Sequence, residues 1–459
     1  MKRIRHSMLL VFMGLIASFQ GNAATTVNGG NVSGKWTKAD SPYHVNGNIT
    51  VAAGSTLEIE PGVTVVLGSE AGLSVGGQLL AQGTPGDSII FTGGAGLTFN
   101  AAEGEDESVV KYAVIKNGSK SQSGGGVYIG NGKVTLTNST ISDNAASSAG
   151  SYSYGGGIYI ANGAVTLTDN TISNNTAAAT ASNTPYSYGG GIYVSNTVAK
   201  IYNNVISNNK HAASKTGDGG GIFLYNSNSI IVNNTIAYND AENGGGVYCS
   251  NGSSPVVINN IIYGNSSSLE SQVFIADNNS APKMLYNLNQ CDCWGHAAGV
   301  NYNWEANYDA SNFDAVPQFV NYALQNYRLQ STSPCINAGI KDVAGLDLPN
   351  VDMDGNTRIY GGRIDIGAYE YGAPQGSGIE NTAARQSPPV AIYPNPSPDG
   401  MFQLKTDCNT FSWTVFDMTG KAVLQGDTPQ IDLRAHEKGV YVIKVSTEKA
   451  GYRMKLIKL

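Results

Sequence analysis

Charged side chains in the middle of the chain could do acid–base chemistry. Lys200 and Lys215 are amines that could act as a base, and Asp218 and Asp240 are carboxylates that could act as acids or hold calcium. Clustered carboxylate oxygens are the ligands that calcium prefers. A glycoside hydrolase needs two carboxyl groups across the glycosidic bond. These four residues are the candidate catalytic groups.

Tyrosines offer a second kind of chemistry, which is the binding of sugar rings and hydroxyl groups. Tyr152, Tyr154, Tyr186 and Tyr188 lie in two long loops, each immediately before three consecutive glycines. A second set follows those glycines at regular intervals and comprises Tyr128, Tyr159, Tyr193, Phe223 and Tyr248. Both sets are candidate ligand-binding residues. The alternative is that these aromatics stack on one another and only stabilise the fold.

A possible calcium site lies at Asp352 and Asp354, which flank a tight turn through Gly355 and Asn356. Hard cations favour clustered oxygen ligands on such turns. The glycine is not where an EF-hand requires it, so a turn held by hydrogen bonds to the Asp side chains is the alternative. We expect no cofactor otherwise.

The elements that position these residues are short strands in a repeat. Three glycines followed by an apolar–aromatic–apolar triplet begin at Gly124, Gly155, Gly189, Gly219 and Gly244. Each block precedes a second alternating run that ends in asparagine. Period-two alternation indicates strands, and a single repeat cannot bury its own apolar face. Stacked coils would bury a continuous column of Val, Ile and Leu, which predicts an all-β solenoid of about three strands per coil.

Asparagines recur at the end of the second run in five coils, at Asn144, Asn175, Asn209, Asn239 and Asn265. Equivalent residues of successive coils lie above one another, so these side chains are predicted to form a hydrogen-bonded ladder at a corner that tolerates left-handed backbone. Asp143 and Asp169 lie at such corners. They are interpreted as substitutes for asparagine rather than as a catalytic pair.

Composition and charge agree with an exported, loop-rich β protein. The 459 residues include 57 glycines and 13% charged residues, with a net charge of −7. The basic start, the apolar run from Met8 to Phe19 and the small residues after it predict a secretory signal peptide over residues 1–23. No other segment predicts a transmembrane helix in the mature chain, and the acidic balance argues against nucleic acid as a partner.

The repeats resemble the right-handed parallel β-helix, the pectate lyase-like fold. Enzymes of that kind commonly use an arginine base, whereas this chain has no arginine between Arg5 and Arg328. Residues 313–371 resemble the choice-of-anchor Q domain that closes many β-helix proteins, through phrases such as Ser333-Pro-Cys-Ile-Asn-Ala-Gly339 and Gly362-Arg-Ile-Asp-Ile-Gly-Ala-Tyr-Glu370. That resemblance implies a structural end to the solenoid with no activity of its own.

The last 70 or so residues resemble the C-terminal sorting domain of type IX secretion in Gram-negative bacteria. The motifs that carry the resemblance are the entry Pro394-Asn395-Pro396, the turn at Gly420, the strand with Gly439 and Tyr441, and the basic–apolar end with Lys455 and Lys458. The resemblance implies that the type IX machinery is a partner. It also implies that the protein is secreted or attached to the outer-membrane surface.

Together these observations predict a signal peptide (1–23), capping coils (24–107), β-helix repeats (108–300), a closing region (301–372), a linker (373–388) and a small β-sandwich sorting domain (389–459). The expected function is binding of glycans or adhesion at the cell surface. A polysaccharide lyase or hydrolase acting on an acidic polymer is one alternative, and a passive envelope protein is another. A polysaccharide or a surface glycan is the expected partner.

Overall fold

The computed structural model describes residues 24–180, 185–212, 216–268, 272–277, 279–289, 294–295, 309–343, 346, 348–376, 390–393, 397, 400–406, 410–417, 421–447 and 451–458. The chain forms two compact units, divided between Gly376 and Ser377. The predicted signal peptide and most of the predicted linker lie outside the described residues.

The first unit is a right-handed β-solenoid, as the repeats predicted. Its coils contribute strands in parallel register to three long sheets. Sheet 1 comprises Thr25–Val27, Tyr43–Val45, Thr64–Leu67, Ile89–Gly93, Ala113–Lys116, Thr140–Ser142, Thr171–Ser173, Val205–Ser207, Thr235–Ala237, Ile261–Tyr263 and Leu288–Asn289. Sheet 2 comprises Gly30–Asn31, Ile49–Val51, Leu73–Val75, Leu97–Asn100, Val127–Asn131, Ile158–Ile160, Ile192–Ser195, Ile222–Tyr225, Val247–Ser250, Val273–Ile275 and Trp294–Gly295. Sheet 3 comprises Gly34–Trp36, Thr56–Ile59, Gln78–Gln82, Ser108–Lys111, Lys133–Thr137, Ala164–Thr168, Ala199–Tyr202, Ile230–Val232, Val256–Ile258 and Lys283–Leu285.

The core is the column of aliphatic side chains that the alternation predicted. In the coil that begins at Gly155, Ile158 and Ile160 are fully buried, whereas Tyr159 between them lies on the outer face and is half-buried. Ile192 and Val194 occupy the same positions in the next coil. Each coil therefore buries its apolar face on its neighbours rather than on itself.

The predicted asparagine ladder is confirmed. Asn175 donates from Nδ2 to Asn209 Oδ1 at 2.9 Å and accepts from Asn144 Nδ2 at 3.0 Å, and the pattern continues to Asn239 and Asn265. The corner does contain a left-handed residue. It is not the ladder asparagine but the residue before it, with φ of 57° at both Asp143 and Asn174. The ladder residues are buried because their amides must reach the coils above and below.

A second ladder runs along the adjoining corner and was not predicted. Its members are Asn170, Asn204, Asn234, Asn260, Asn287 and Asn312. Each amide also donates to a backbone carbonyl of the preceding coil, as Asn204 does to Leu167 O at 3.0 Å. The two ladders thus satisfy buried backbone groups at both ends of sheet 1, which hydrogen bonding inside a packed interior requires.

The three glycines are needed for close approach between coils. The first is left-handed, with φ of 66° at Gly124. A Cβ on Gly125 would lie 2.4 Å from Gly156 O of the next coil, and one on Gly126 would lie 2.8 Å from the ladder side chain of Asn144. Any larger residue would push the ladder out of register.

Residues 309–376, here called the closing segment, pack along the outer face of sheet 1. In this segment the strands Phe319–Asn321 and Asn326–Leu329 form a hairpin, and a short 3-10 turn, Tyr322–Leu324, lies between them. The other short 3-10 turn of the described chain, Lys38–Asp40, is in the first coils of the solenoid. The segment covers apolar side chains of four coils, namely Val205, Ala237, Ile261 and Leu288. The start of the segment adds to the last coil, since Phe313 is bridged to Leu288 and Asn312 belongs to the second ladder, and the rest covers the side of sheet 1. The implied role of the segment as a structural end stays a prediction.

Buried polar contacts fix the closing segment to the solenoid corners. Arg358, 3% exposed, donates to Asn203 Oδ1 at 2.6 Å and lies 3.4 Å from Glu370 Oε1. Asn203 in turn donates to Asp169 Oδ1 at 3.1 Å. Asp169 is half-buried, and loss of water raises its pKa to about 7 although Asn203 and Arg358 act to lower it. Asp169 thus occupies an asparagine corner, as interpreted, and has become part of the docking site for the closing segment.

The second unit consists of two small antiparallel sheets, consistent with the predicted sandwich. One sheet contains Val390–Tyr393, Met401–Thr406 and Gln430–Asp432. The other contains Phe411–Phe416, Ala422–Gly426, Gly439–Thr447 and Gly451–Lys458. Alternate residues such as Phe402, Trp413 and Ile443 form its core.

Candidate functional site

The long loops before the triple glycines fold into a small double-layered projection, here called the fin. Its outgoing layer contains Ser119–Ser121, Ala145–Ser148, Thr176–Ala179 and Lys210–His211, and its returning layer contains Tyr152–Tyr154, Tyr186–Tyr188 and Thr216–Asp218. Small residues allow the layers to approach. Ser153 Oγ donates to Ala146 O at 2.6 Å, and Ser187 Oγ accepts from Ala179 N at 3.1 Å. The fin's tyrosines therefore point away from the outgoing layer.

The regular aromatic residues form a stacked ladder on the outer face of sheet 2. The ring centroids of Tyr159 and Tyr193 are 5.1 Å apart with planes at 4°, and those of Phe223 and Tyr248 are 4.7 Å apart at 13°. The ladder runs from Tyr128 to Phe274, one ring beyond the predicted stripe. Ring faces are largely covered by neighbouring rings, so the ladder offers mainly edges and hydroxyl groups.

The fin tyrosines lie edge-on to this ladder. Tyr154 meets Tyr193 at 5.1 Å and 63°, and Tyr188 meets Phe223 at 5.0 Å and 57°. This contact explains why Tyr193 and Phe223 are only 6% and 4% exposed although they are on the outer face. Tyr152, by contrast, is 45% exposed at the edge of the fin.

Fin and ladder enclose a groove of about 520 Å³. Its lining consists of Tyr152, Tyr154, Tyr159, Tyr188, Tyr193, Ser195, Asp218, Phe223, Tyr225, Tyr248 and Ser250. Ser195, Tyr225 and Ser250 are register partners in successive strands of sheet 2, so they form the side opposite the fin. A volume of this size falls within the roughly 300–1,000 Å³ of small-molecule sites. The predicted ligand residues Tyr128 and Tyr186 do not line the groove, since they lie beside it in the two stacks.

Asp218 is the one carboxylate among the described lining residues. It is 7% exposed, and its Oδ1 accepts a hydrogen bond from Asn243 Nδ2 at 2.7 Å. The pKa of Asp218 is raised to about 6, mainly by burial and to a smaller extent by the nearby Glu242, and against the bond from Asn243, which lowers it. The carboxyl is therefore mostly ionised at neutral pH, whereas the phenols around it are neutral, and burial raises the pKa of Tyr188, Tyr193 and Tyr248 further above its ordinary value.

The other catalytic candidates lie elsewhere or outside the described residues. Lys200 is on sheet 3, in register with Thr166 and Ile230, and Lys215 lies outside the described part of the chain. Asp240 borders a separate polar pocket of about 430 Å³, lined by His211, Glu242 and the serines 266–268. The three candidates among the described residues, Lys200, Asp218 and Asp240, do not converge in one cleft, and the catalytic roles of all four stay predictions.

Asp352 and Asp354 have protein partners. Asp352, 2% exposed, accepts hydrogen bonds from the backbone amides of Asp354, Asn356 and Glu370 at 2.7–2.9 Å. Asp354 pairs with Arg328. This is the arrangement of the hydrogen-bonded turn that was the alternative to calcium. No three His, Cys, Asp or Glu side chains within the described ranges are grouped to hold a metal, and calcium binding at Asp352 stays a prediction.

Several sorting-signal residues have structural partners in the second unit. Tyr441 is 7% exposed, and its hydroxyl donates to Glu437 O at 2.6 Å. Lys458 Nζ donates to the carbonyl oxygens of residues 433, 434 and 436. Gly439 begins the longest strand, and Lys455 lies in the last strand. Pro394, Asn395, Pro396 and Gly420 lie outside the described residues.

Sequence reasoning missed Ser195, Tyr225 and Ser250 as groove residues, and it placed Asp218 among catalytic groups rather than beside the tyrosines. A usable signal was present. Tyr225 lies two residues after Phe223 in an alternating strand, so both side chains had to share the outer face of sheet 2.

Comparison with known families matches both units. Residues 125–315 match the family described as a right handed beta helix region, and residues 391–459 match the secretion system C-terminal sorting domain. No curated protein matches the chain. In the part of the chain that is described, no helix has the length and apolar character needed to cross a membrane. The chain is a right-handed β-helix protein with a type IX sorting domain, which marks it as a secreted or cell-surface protein.

Proposed function

We propose that this exported β-helix protein binds carbohydrate in the groove between the fin and the aromatic ladder. The observation that carries the proposal is the convergence of phenol groups from two separate elements on one concave surface, together with Ser195, Ser250 and Asp218. Sugars have apolar C–H faces and many hydroxyl groups. A surface of aromatic edges, hydroxyl groups and a carboxylate complements both.

The position of the groove supports the same function. Loops inserted between the regular strands of a repeat scaffold are where binding residues concentrate, and the fin is such an insertion. Tyr152 and Tyr225 are 45% and 38% exposed. They can therefore contact a ligand without any rearrangement of the buried stacks. An extended polymer chain could lie along the groove across several coils.

Binding is favoured over catalysis because the described lining contains one carboxylate. Retaining and inverting glycosidases both use two carboxyl groups, about 5 to 10 Å apart. A calcium-dependent lyase would need a base and clustered oxygen ligands, and Lys200 is on another sheet. Asp218 alone supplies neither arrangement.

The test is affinity gel electrophoresis of the purified full chain in a panel of soluble neutral and acidic polysaccharides, combined with assays for new reducing and new unsaturated ends. We expect at least one polymer to retard the protein without new ends. New ends would replace the binding proposal with an enzyme. Failure of every polymer to retard the protein would leave a passive structural role.

A further inference from the structure

We infer that the groove selects uncharged sugar chains and discriminates against polymers that carry carboxylate or sulfate groups, with Asp218 as the residue that sets this preference. The inference rests on the carbohydrate-binding function proposed above. It names the class of ligand that the groove takes.

The first argument is the charge of the lining. Tyrosine, phenylalanine and serine supply all described lining residues except Asp218. Proteins usually bind carboxylate or sulfate groups with lysine, arginine or oriented backbone amides. Neither lysine nor arginine occurs among the described residues that line this groove. An anionic polymer would have to leave water without gaining an opposite charge.

The second argument is the state of Asp218. Its Oδ1 is held by Asn243, and within the described residues its Oδ2 accepts no hydrogen bond. A sugar hydroxyl could donate to that oxygen in a charge-assisted bond. The same oxygen would repel a uronate or sulfate group, and the low exposure of Asp218, 7%, weakens the screening of that repulsion by water.

The third argument is the position of Lys120, a cation near the ladder. Its ammonium lies 4.5 Å from the ring centroid of Tyr128 and donates to Thr98 Oγ1 at 2.7 Å. It does not line the groove. Burial also lowers the pKa of Lys120 to about 8. Its charge is engaged at the far end of the ladder from Asp218, so it cannot balance an anion in the groove.

The test compares one polymer in two charge states. Soluble glucan, mannan and xylan are screened with the full chain, and the polymer that retards it most is then oxidised so that primary hydroxyl groups become carboxylates, or is carboxymethylated where it has none. We expect the modification to weaken binding at least tenfold. In Asp218→Asn that ratio should fall below about threefold. Asp240→Asn, a charge change outside the groove, should keep the wild-type ratio.

The possible outcomes separate this inference from the function on which it rests. If no polymer retards the wild-type protein, the binding function itself fails. If the acidic form binds as well as the neutral form or better, binding stands and the charge selection is overturned. An unchanged ratio in Asp218→Asn, with a thermal unfolding midpoint like that of wild type, would overturn the role of Asp218.

Discussion

Tyr188 and Asp218 are register partners in adjacent strands of the fin. The carboxyl of Asp218 therefore occupies the place that Tyr154 and Tyr188 fill with phenol rings in the two preceding coils. The next residue in that column is Asn243, which donates to it. One coil thus changes an aromatic wall into a polar one. The groove therefore has a negative charge at one end only, so its two ends differ along the solenoid axis.

The asparagine ladder should be a major source of stability. Asn175→Gly removes a side chain that accepts from the backbone N and Nδ2 of Asn144 and donates to Asn209 and to Ile141 O, so the buried Asn144 N loses its acceptor. We expect the free energy of unfolding to fall by about 3 kcal/mol, as measured by chemical denaturation with circular dichroism. Asn174→Gly is the matched control, because Asn174 is exposed and left-handed. Equal effects of the two substitutions would contradict the ladder's role.

Arg358 should hold the closing segment against the solenoid. Arg358→Met leaves Asn203 Oδ1 without a donor and Glu370 without its ion-pair partner in a buried site. We expect the free energy of unfolding to fall by about 3 kcal/mol. We also expect faster proteolysis within residues 309–376, which mass spectrometry would detect. Arg328→Met is the control, since the Arg328–Asp354 pair is half-exposed and such pairs contribute less than about 1 kcal/mol. A closing segment as resistant in Arg358→Met as in Arg328→Met would refute this account.

Asp169 should make stability depend on pH. Burial raises its pKa from 3.8 to about 7 in the folded protein. Between these two pKa values the folded state therefore holds a proton on Asp169 that the unfolded state has lost. The contribution of Asp169 to stability is complete below about pH 4 and disappears as pH rises through 7. The free energy of unfolding of Asp169→Asn should therefore rise relative to that of wild type by up to about 3 kcal/mol between pH 4.5 and pH 8.

The measurement for Asp169 is the unfolding midpoint of wild type and variant at both pH values. Taking the difference between the proteins removes the contribution of other groups such as Glu370, whose pKa burial raises to about 9. Asp143→Asn is the control, because that carboxyl lies at an exposed corner. A constant difference between wild type and Asp169→Asn at both pH values would show that the Asp169 carboxyl is ionised in the folded protein.

The repeat pattern was enough to predict the solenoid, the aromatic stripe and one asparagine ladder, because alternation and equal spacing translate directly into stacked strands. The second ladder was missed although Asn170, Asn204 and Asn234 recur five residues before the first one. In the coil of Asn144 the equivalent position is occupied by Ser139, so the second run of asparagines begins one coil later than the first.

The groove and the closing segment could not be predicted in the same way. The conformation of the fin depends on loops of unequal length, and no periodic pattern specifies how Tyr154 meets Tyr193. The contact of Arg358 with Asn203 joins residues 155 positions apart. Such a pairing depends on tertiary packing, which a single sequence does not display. The sorting domain was recognised because its motifs occur in a fixed order.

The most direct test of the central claim is the affinity of a groove variant for the polysaccharide that retards the wild-type chain. Tyr152→Ala with Tyr225→Ala removes the two exposed rings of the groove, and Tyr360→Ala removes a ring that is 48% exposed outside it. We predict that the groove variant binds at least about tenfold more weakly, while Tyr360→Ala binds like wild type. Equal retardation of all three proteins would contradict carbohydrate binding in the groove.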